Sequence, residues 1–180
     1  MKHLGTKVLE TERLILRPFT MEDSERMFYN WATSEKVTKF LTWQPHQSQD
    51  MTKEILAYWL ENYKNLNFYQ WAIELKEIKE PIGSISVVRI DEQNKECEIG
   101  YCIGDKWWGK GITCEALKSV MNLLFEEVGA KVVCAKHDVD NPNSGKVMVK
   151  AGMTFRRILD FKGKSNHGIC DLAFYSKIKE

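Results

Sequence analysis

Two glycines separated by one residue, Gly109 and Gly111, have the spacing in this chain that most clearly indicates chemistry. They lie between an apolar, strand-like run and an amphipathic helical pattern. Glycine lets the backbone approach a ligand in conformations that a Cβ would block, so consecutive N–H groups can point at one anion. The following helix adds unpaired first-turn donors and the positive end of its dipole. The pattern predicts a phosphate-binding loop; the alternative is a strand-to-helix turn in which glycine only relieves strain.

The segments on either side predict that this loop is held between two buried elements. Upstream, Ile99, Tyr101 and Ile103 alternate with Glu98 and its neighbours at the period of a strand. Downstream, apolar residues recur at helical spacing over residues 112–128, with mostly polar residues on the other face. The loop is therefore expected to have a rigid frame.

Cysteine and histidine usage predicts neither disulfides nor a metal site. The five cysteines are odd in number and show no Cys-x-x-Cys spacing, and the four histidines are scattered. Free thiols in a reducing compartment explain this usage best. A catalytic cysteine would need an activating base and an electropositive site, which the sequence does not demonstrate.

Three segments resemble motifs of the GNAT superfamily of N-acetyltransferases. The glycine loop is similar to the family's acetyl-CoA-binding motif, Gln/Arg-x-x-Gly-x-Gly/Ala, although Lys106 stands at its first position. Residues 141–155 look like the family's Asn-x-x-Ser…Lys-x-Gly-Phe segment. Residues 11–18 are similar to the opening strand of the branch that contains the ribosomal-protein N-terminal acetyltransferases. The resemblance runs from residue 11 to about residue 175, and the chain lacks the third glycine of the dinucleotide fingerprint.

Length and element order predict one domain of mixed α/β class spanning residues 1–180. A strand at 14–17 precedes a helix that a Thr20–Asp23 capping box begins and that ends near Trp31. Further helices are predicted at 34–40, after Ser48 or Asp50, at 112–128 and at 141–151. Further strands are predicted at 68–75, 82–90, 96–103, 131–137, 154–159 and 168–176. Turns are predicted at 80–81 and 91–94. This order matches the GNAT fold, which implies a mostly antiparallel central sheet, flanked by helices, that splays between the 96–103 and 131–137 strands. The pantetheine arm would enter there.

The resemblance implies that acetyl-CoA is the cosubstrate and that no metal takes part. An N–H near Cys102 or Ile103 would polarise the thioester carbonyl as a preorganised oxyanion donor. The remaining expected coenzyme contacts are Lys106, Trp108, Gly109, Lys110, Gly111, Ile112, Thr113, Asn141, Ser144 and Lys146.

Acetyl transfer to an amine needs a proton acceptor, because alkyl amines are mostly protonated at neutral pH, and a proton for the leaving thiolate. Glu98 is the predicted base, with Glu74 as second choice; the alternative for Glu98 is an ordinary solvent-facing strand residue. Ser144 is the predicted acid, because Met148 occupies the position of the tyrosine that many family members use. The alternative for Ser144, together with Asn141, is helix capping.

Charge and hydropathy exclude some classes of partner. The net charge of +1, with both signs interspersed, argues against a nucleic-acid-binding surface. No apolar run approaches the ~20 residues needed to span a bilayer, and no signal-peptide pattern is present, so a cytosolic protein is expected. The predicted function is N-acetylation of a primary amine, such as the N-terminus of a ribosomal protein. A small-amine acetyltransferase acting on an antibiotic or polyamine, and an acyl-CoA-binding module without activity, remain alternatives, and whether the chain forms a homodimer stays open.

Overall fold

The computed structural model describes residues 1–179, which form an eight-stranded sheet with the strand order β1-β2-β3-β4-β5-β6-β8-β7. The strands are β1 (Leu9–Glu10), β2 (Leu14–Arg17), β3 (Gln70–Leu75), β4 (Glu80–Asp91), β5 (Glu96–Ile103), β6 (Val132–Asp138), β7 (Thr154–Ser165) and β8 (Gly168–Ile178). Neighbouring strands are antiparallel except β5 and β6, which are parallel. The predicted mixed, mostly antiparallel sheet is therefore confirmed.

Within residues 1–179, five α-helices flank the sheet, and side-chain caps begin two of them. They are α1 (Ser24–Met27), α2 (Glu35–Thr38), α3 (Gln49–Asn62), α4 (Ile112–Leu123) and α5 (Pro142–Lys150), with a 3₁₀ turn at Met21–Asp23 and π-helical turns at Phe28–Ala32 and Leu124–Val128. The hydroxyls of Ser34 and Ser48 accept from backbone N–H groups in the first turns of α2 and α3. The predicted Thr20–Asp23 capping box is present. No helix among residues 1–179 is both long and apolar enough to cross a membrane.

Two hydrophobic clusters cover the two faces of the sheet. In the larger one, α4 buries Ala116, Leu117 and Val120 completely, at the helical spacing predicted from the sequence, against strand residues such as Trp71. The second cluster packs the helices between β2 and β3 against the opposite face and contains Trp31 and the other members Phe19, Met27, Ala32, Val37, Leu56 and Ala72. The central strands of the sheet are therefore buried on both faces, whereas β7 at one edge is mostly exposed.

The sheet opens between β5 and β6. These strands pair over three residues only, from Glu96 opposite Val132 to Glu98 opposite Cys134. Beyond that point β5 remains paired with β4 as far as Ile103, and β6 remains paired with β8 as far as Asp138. The predicted splay is present, and it leaves one backbone edge of β5 without a neighbouring strand.

One predicted turn is wrong. Glu80 and Pro81 begin β4, and the turn lies at residues 76–79, where Lys79 has a φ of 54°. Proline lacks a backbone donor and is normally confined to edges and bulges of a sheet. A register shift between Ile73 and Glu74 places Pro81 beside such a bulge, which explains why the strand accepts it. The β7 and β8 strands are also longer than predicted.

Candidate active site

A cleft of about 690 Å³ begins where β5 and β6 separate. Its floor contains Glu98, Cys102, Asn141 and Ser144, so the fold brings four of the predicted site residues together. Its opposite wall is rich in aromatic side chains, namely Trp31, Phe40, Trp43, Tyr58 and Trp59. A mostly concave, partly apolar cleft with a few convergent polar groups is the usual form of a small-ligand site.

The glycine loop lies at the start of α4 and has the backbone shape of an anion cradle. Gly109 and Gly111 both have a φ of 76°, in the left-handed region, and Gly111 is the N-cap residue of α4. An added Cβ would meet no atom within 4 Å at Gly109, and at Gly111 only Nη2 of Arg13 at 3.6 Å. The first bond of the helix runs from the N–H of Glu115 to the Gly111 carbonyl at 3.1 Å. The N–H groups at positions 112–114 therefore have no partner within the helix and are available to a ligand.

Other predicted loop contacts are placed around this cradle. Lys106, Trp108 and Lys110 are exposed, whereas Ile112 and Thr113 are buried in the first turn of α4. The indole Nε1 of Trp108 donates to the Ile103 carbonyl at 2.9 Å and so ties the loop to the end of β5. Lys146 lies apart from the loop, on the exposed side of α5, with Nζ 3.4 Å from Oδ1 of Asn143.

Arg13 anchors the loop from the opening segment of the chain, a role that the sequence patterns did not reveal. Its Nη1 donates to the Lys110 carbonyl at 2.9 Å, and its Nε donates to Oε2 of Glu115 at 2.7 Å. Glu115 also accepts from the Thr11 hydroxyl at 2.6 Å and from the Arg13 N–H at 2.9 Å. Burial opposes ionisation of Glu115, but these hydrogen bonds outweigh it and hold the pKa of Glu115 below its ordinary value. The Thr-x-Arg of the opening segment thus fixes the first turn of α4.

The β4–β5 register indicates which amide of β5 faces the opening. The Gly104 N–H donates to the Ile82 carbonyl at 2.9 Å, and Ser84 stands opposite Cys102. Because backbone groups alternate in direction along an antiparallel strand, the Cys102 N–H points toward β4 and the Ile103 N–H points toward the gap. Of the two amides proposed from the sequence, this geometry favours Ile103 as the carbonyl-polarising donor.

Cys102 contributes its side chain to the cleft instead. Its Sγ lies 3.4 Å from the Ser84 hydroxyl. Burial raises the pKa of the Cys102 thiol, so the thiol is kept in its unreactive, protonated form.

Ser144 is hydrogen-bonded across the cleft to Tyr101 of β5. The phenolic oxygen of Tyr101 lies 3.0 Å from the Ser144 Oγ and 3.1 Å from the Ser144 carbonyl oxygen. Asn141 is the N-cap residue of α5 but makes no side-chain cap bond, and Ser144 lies inside the helix, so the capping alternative has no support in the geometry. Burial raises the pKa of Tyr101, which keeps the phenol protonated.

Tyr101 supplies a phenol to the site, whereas position 148 of α5 carries a methionine. Met148 is 1% exposed and belongs to the main core, so a tyrosine substituted there would overpack the core rather than reach the cleft. The sequence pattern assigned Tyr101 to the apolar face of β5, and only the tertiary structure shows its contact with Ser144.

Glu98 forms an ion pair across the point where the two strands part. Its Oε2 accepts from Nε of Arg89 at 3.1 Å and from Nζ of Lys136 at 2.8 Å. Lys136 belongs to β6, so the pair bridges the start of the gap. Glu74, the second-choice base, lies outside this cleft lining and pairs with Nε of Arg17 at 2.6 Å.

Two histidines, His46 and His137, also line the cleft. His46 is 6% exposed, its Nδ1 lies 2.8 Å from the Thr52 hydroxyl, and burial lowers its pKa. Nδ1 of His137 donates to the Asp138 carbonyl at 2.7 Å, and its buried Nε2 has no partner among residues 1–179. No group of three or more potential metal ligands occurs within the same described range.

Comparison with known proteins identifies the family. Residues 13–154 match the family model described as an acetyltransferase (GNAT) domain. The chain is 30% identical over 177 residues to an uncharacterized N-acetyltransferase, p20, of Bacillus licheniformis, covering 96% of this chain and 97% of the relative. It is 31% identical over 99 residues to the ribosomal-protein-serine acetyltransferase of Escherichia coli (strain K12), covering 55% of each chain. The crystal structure of the microcin C7 self immunity acetyltransferase MccE, in complex with acetyl-CoA and AMP, superposes with a TM-score of 0.83 at 22% identity over 94% of both chains. The chain therefore belongs to the GNAT family of N-acetyltransferases.

Proposed function

We propose that this protein transfers the acetyl group of acetyl-CoA to a primary amine, and that the N-terminus of a protein, such as a ribosomal protein, is the acceptor. The observation that carries this proposal is the gap between β5 and β6. The unpaired edge of β5 runs from Tyr101, which is bonded to Ser144, to Ile103, whose carbonyl the Trp108 indole ties to the start of the glycine loop. The similarity to a ribosomal-protein-serine acetyltransferase supports the choice of acceptor.

The coenzyme would be held mainly by backbone groups. Amides of residues 109–113 and the positive end of α4 would receive the pyrophosphate. Lys106 and Lys110 are exposed beside them and would add positive charge. The Ile103 N–H, on the open edge of β5, would donate to the thioester carbonyl oxygen and stabilise the charge that develops there.

The reaction would proceed by direct attack of the amine nitrogen on the thioester carbonyl carbon. The new C–N bond forms, the C–S bond breaks, the nitrogen loses a proton and the departing thiolate gains one. Glu98, on the floor of the cleft, would accept the amine proton directly or through water. The Ser144 hydroxyl, oriented by Tyr101, would donate to the thiolate.

Two other functions are distinguished by specific features. A small-amine acceptor is favoured by the aromatic wall of the cleft, which would suit a compact apolar amine. A binding module without activity was suggested by Met148, but the hydroxyl pair of Tyr101 and Ser144 weighs against it.

All five cysteines are free, which supports a reducing, cytoplasmic setting as part of the proposal.

Turnover across a panel of acceptors tests the proposal. The purified protein would be mixed with acetyl-CoA and peptides that carry ribosomal-protein N-termini, the same peptides with blocked N-termini, polyamines and aminoglycosides, and thiol release would be followed. We expect release with free but not with blocked N-termini. Turnover of polyamines or aminoglycosides, but not of the peptides, would show that the acceptor is a small amine and not a protein N-terminus. Calorimetric binding of acetyl-CoA without any turnover would indicate a binding module.

A further inference from the structure

The tip of the β7–β8 hairpin is joined to the loop before α3 by a single residue, Asn166. Its N–H donates to the Leu41 carbonyl at 3.0 Å. Its side-chain Nδ2 donates to the carbonyls of Thr38 at 2.9 Å and Trp43 at 2.6 Å. Its Oδ1 accepts from Nε2 of Gln44 at 2.6 Å. We call these four contacts the Asn166 clasp.

The clasp connects two walls of the cleft that come from distant parts of the chain. Residues 38–46 contribute Phe40, Leu41, Thr42, Trp43 and His46 to the lining, and the hairpin contributes Lys162, Gly163, Lys164, Ser165, Cys170 and Leu172. Within residues 1–179, every hydrogen bond between residues 38–46 and the hairpin uses Asn166. The only aromatic contact between these walls in the same range is edge-on, between Phe40 and His167, with ring centroids 5.9 Å apart.

The chemistry of the clasp requires a carboxamide. Carbonyl oxygens only accept, so the two contacts with Thr38 and Trp43 need the two hydrogens of one side-chain NH₂ group. Aspartate has nearly the same shape but would place a carboxylate oxygen against two carbonyl oxygens. Asn166→Asp therefore replaces the two side-chain donor contacts of the clasp with repulsion at almost unchanged volume, whereas the backbone bond to Leu41 and the contact with Gln44 can persist.

We infer that Asn166 is a positioning residue for acceptor selection. By holding residues 38–44 against the hairpin, it fixes the places of Phe40 and Trp43 in the wall that the acceptor meets. Within residues 1–179 no hydrogen bond joins Asn166 or residues 38–44 to residues 106–111 of the glycine loop, so we expect coenzyme binding to be independent of the clasp. This inference rests on the proposed acetyltransferase function.

The test compares Asn166→Asp with Asn94→Asp. Asn94 lies in the β4–β5 turn, where its N–H and Nδ2 bond the Asp91 carboxylate at 3.0 and 2.8 Å, so Asn94→Asp breaks a comparable turn contact away from the cleft. Hydrogen exchange followed by mass spectrometry would measure protection of residues 38–44. Steady-state kinetics with the best acceptor and with a bulkier one would measure the acceptor KM, and calorimetry the acetyl-CoA Kd.

We expect Asn166→Asp to speed exchange of residues 38–44 about tenfold or more, as for a segment that loses its tertiary hydrogen bonds. We also expect it to raise the KM of the preferred acceptor about tenfold, which reduces the difference in KM between the preferred and the bulkier acceptor. The Kd of acetyl-CoA should be unchanged. Unchanged exchange, or an acceptor preference equal to that of Asn94→Asp, would overturn the inference, as would a parallel loss of coenzyme affinity. If the wild-type protein acetylated no amine, the proposed function would fail, and acceptor selection with it, whereas the exchange data would still decide whether the clasp exists.

Discussion

The hydroxyl of Tyr101 on β5 lies 3.0 Å from the Ser144 Oγ on α5, and so joins β5 to the helix that follows β6, on the other side of the splay. The same phenolic oxygen lies 3.1 Å from the Ser144 carbonyl, which can only accept. When the phenol O–H donates to that carbonyl, the phenolic oxygen can still accept a hydrogen bond from the Ser144 hydroxyl. The Ser144 hydroxyl can also rotate to donate to another acceptor in the cleft. The geometry therefore couples the orientation of Ser144 to Tyr101.

Ser144→Ala tests this coupling. If the hydroxyl protonates the thiolate, the maximal rate should fall about tenfold or more with any acceptor, with little change in melting temperature. Tyr101→Phe should give a smaller loss of rate. The double variant should lose less activation free energy than the sum of the two single variants, because the residues act together.

Ser48→Ala is the control, since the Ser48 hydroxyl caps α3 with a 3.3 Å bond. It should cost about 1 kcal/mol of stability and leave turnover intact. The reverse result for Ser144→Ala, stability lost and rate retained, would make Ser144 structural.

Gly109→Val should abolish or strongly weaken acetyl-CoA binding in a folded protein. No neighbouring atom opposes the new Cβ, so the effect comes from a branched side chain in a left-handed backbone and in the space that a pyrophosphate would occupy. Gly129→Val is the matched control, because Gly129 has a φ of 82°, has equally open surroundings and lies at the far end of the helical segment. Calorimetric titration should show an affinity loss of about tenfold or more for Gly109→Val only. Equal affinities would mean that the glycine serves only the turn.

Arg13→Ala should weaken acetyl-CoA binding without touching the cradle itself. The variant removes the bond to the Lys110 carbonyl and the pairing with Glu115, so the loop loses its anchor. We expect a several-fold rise in Kd, roughly the effect of 1 kcal/mol for a partly exposed charged hydrogen bond. Arg26→Ala, which removes a surface ion pair with Glu80, should leave Kd unchanged. Identical Kd values for Arg13→Ala and wild type would exclude an anchoring role.

The sequence predicted most of the fold because its signals are local. Alternation marks β5, helical periodicity marks α4, and serine marks the start of α3. Pro81 was misread because a bulge depends on the partner strand, which periodicity does not describe. The two-residue β1 is too short for any period to identify.

The predicted site residues come from motifs of neighbouring residues, and their functional roles stay predictions. The glycine loop and the Asn-x-x-Ser segment are local motifs. Tyr101, Arg13 and Asn166 act through partners that are 43 or more positions away, so no local pattern could find them. The direction of the Ile103 amide depends likewise on the β4–β5 register.

Glu98→Gln should lower turnover by about 10²-fold near neutral pH if Glu98 accepts the amine proton, a typical contribution of a general base. The competing role is structural, because the same carboxylate bridges Arg89 and Lys136. Lys136→Met separates the two roles, since it breaks the bridge between the strands but keeps the carboxylate. We expect this variant to retain most of the rate. Equal losses in both variants, with equal loss of stability, would assign Glu98 to the scaffold of the gap and leave the proton to water.

His46 predicts a specific dependence of stability on pH. Burial lowers its pKa in the folded protein, whereas the unfolded chain protonates at the ordinary value of about 6.5. Between these two values the unfolded state binds more protons, so the free energy of unfolding is greatest above about pH 6.5 and falls as the pH drops toward the folded pKa. Denaturant titrations at about pH 7.5, 6.5 and 5.5 would compare wild type with His46→Gln, which should lose less stability on acidification because it cannot take up that proton. The contribution of the carboxylates to the pH dependence of stability is the same in both proteins and cancels in the comparison. Parallel curves for His46→Gln and wild type would show that His46 does not titrate differently in the fold.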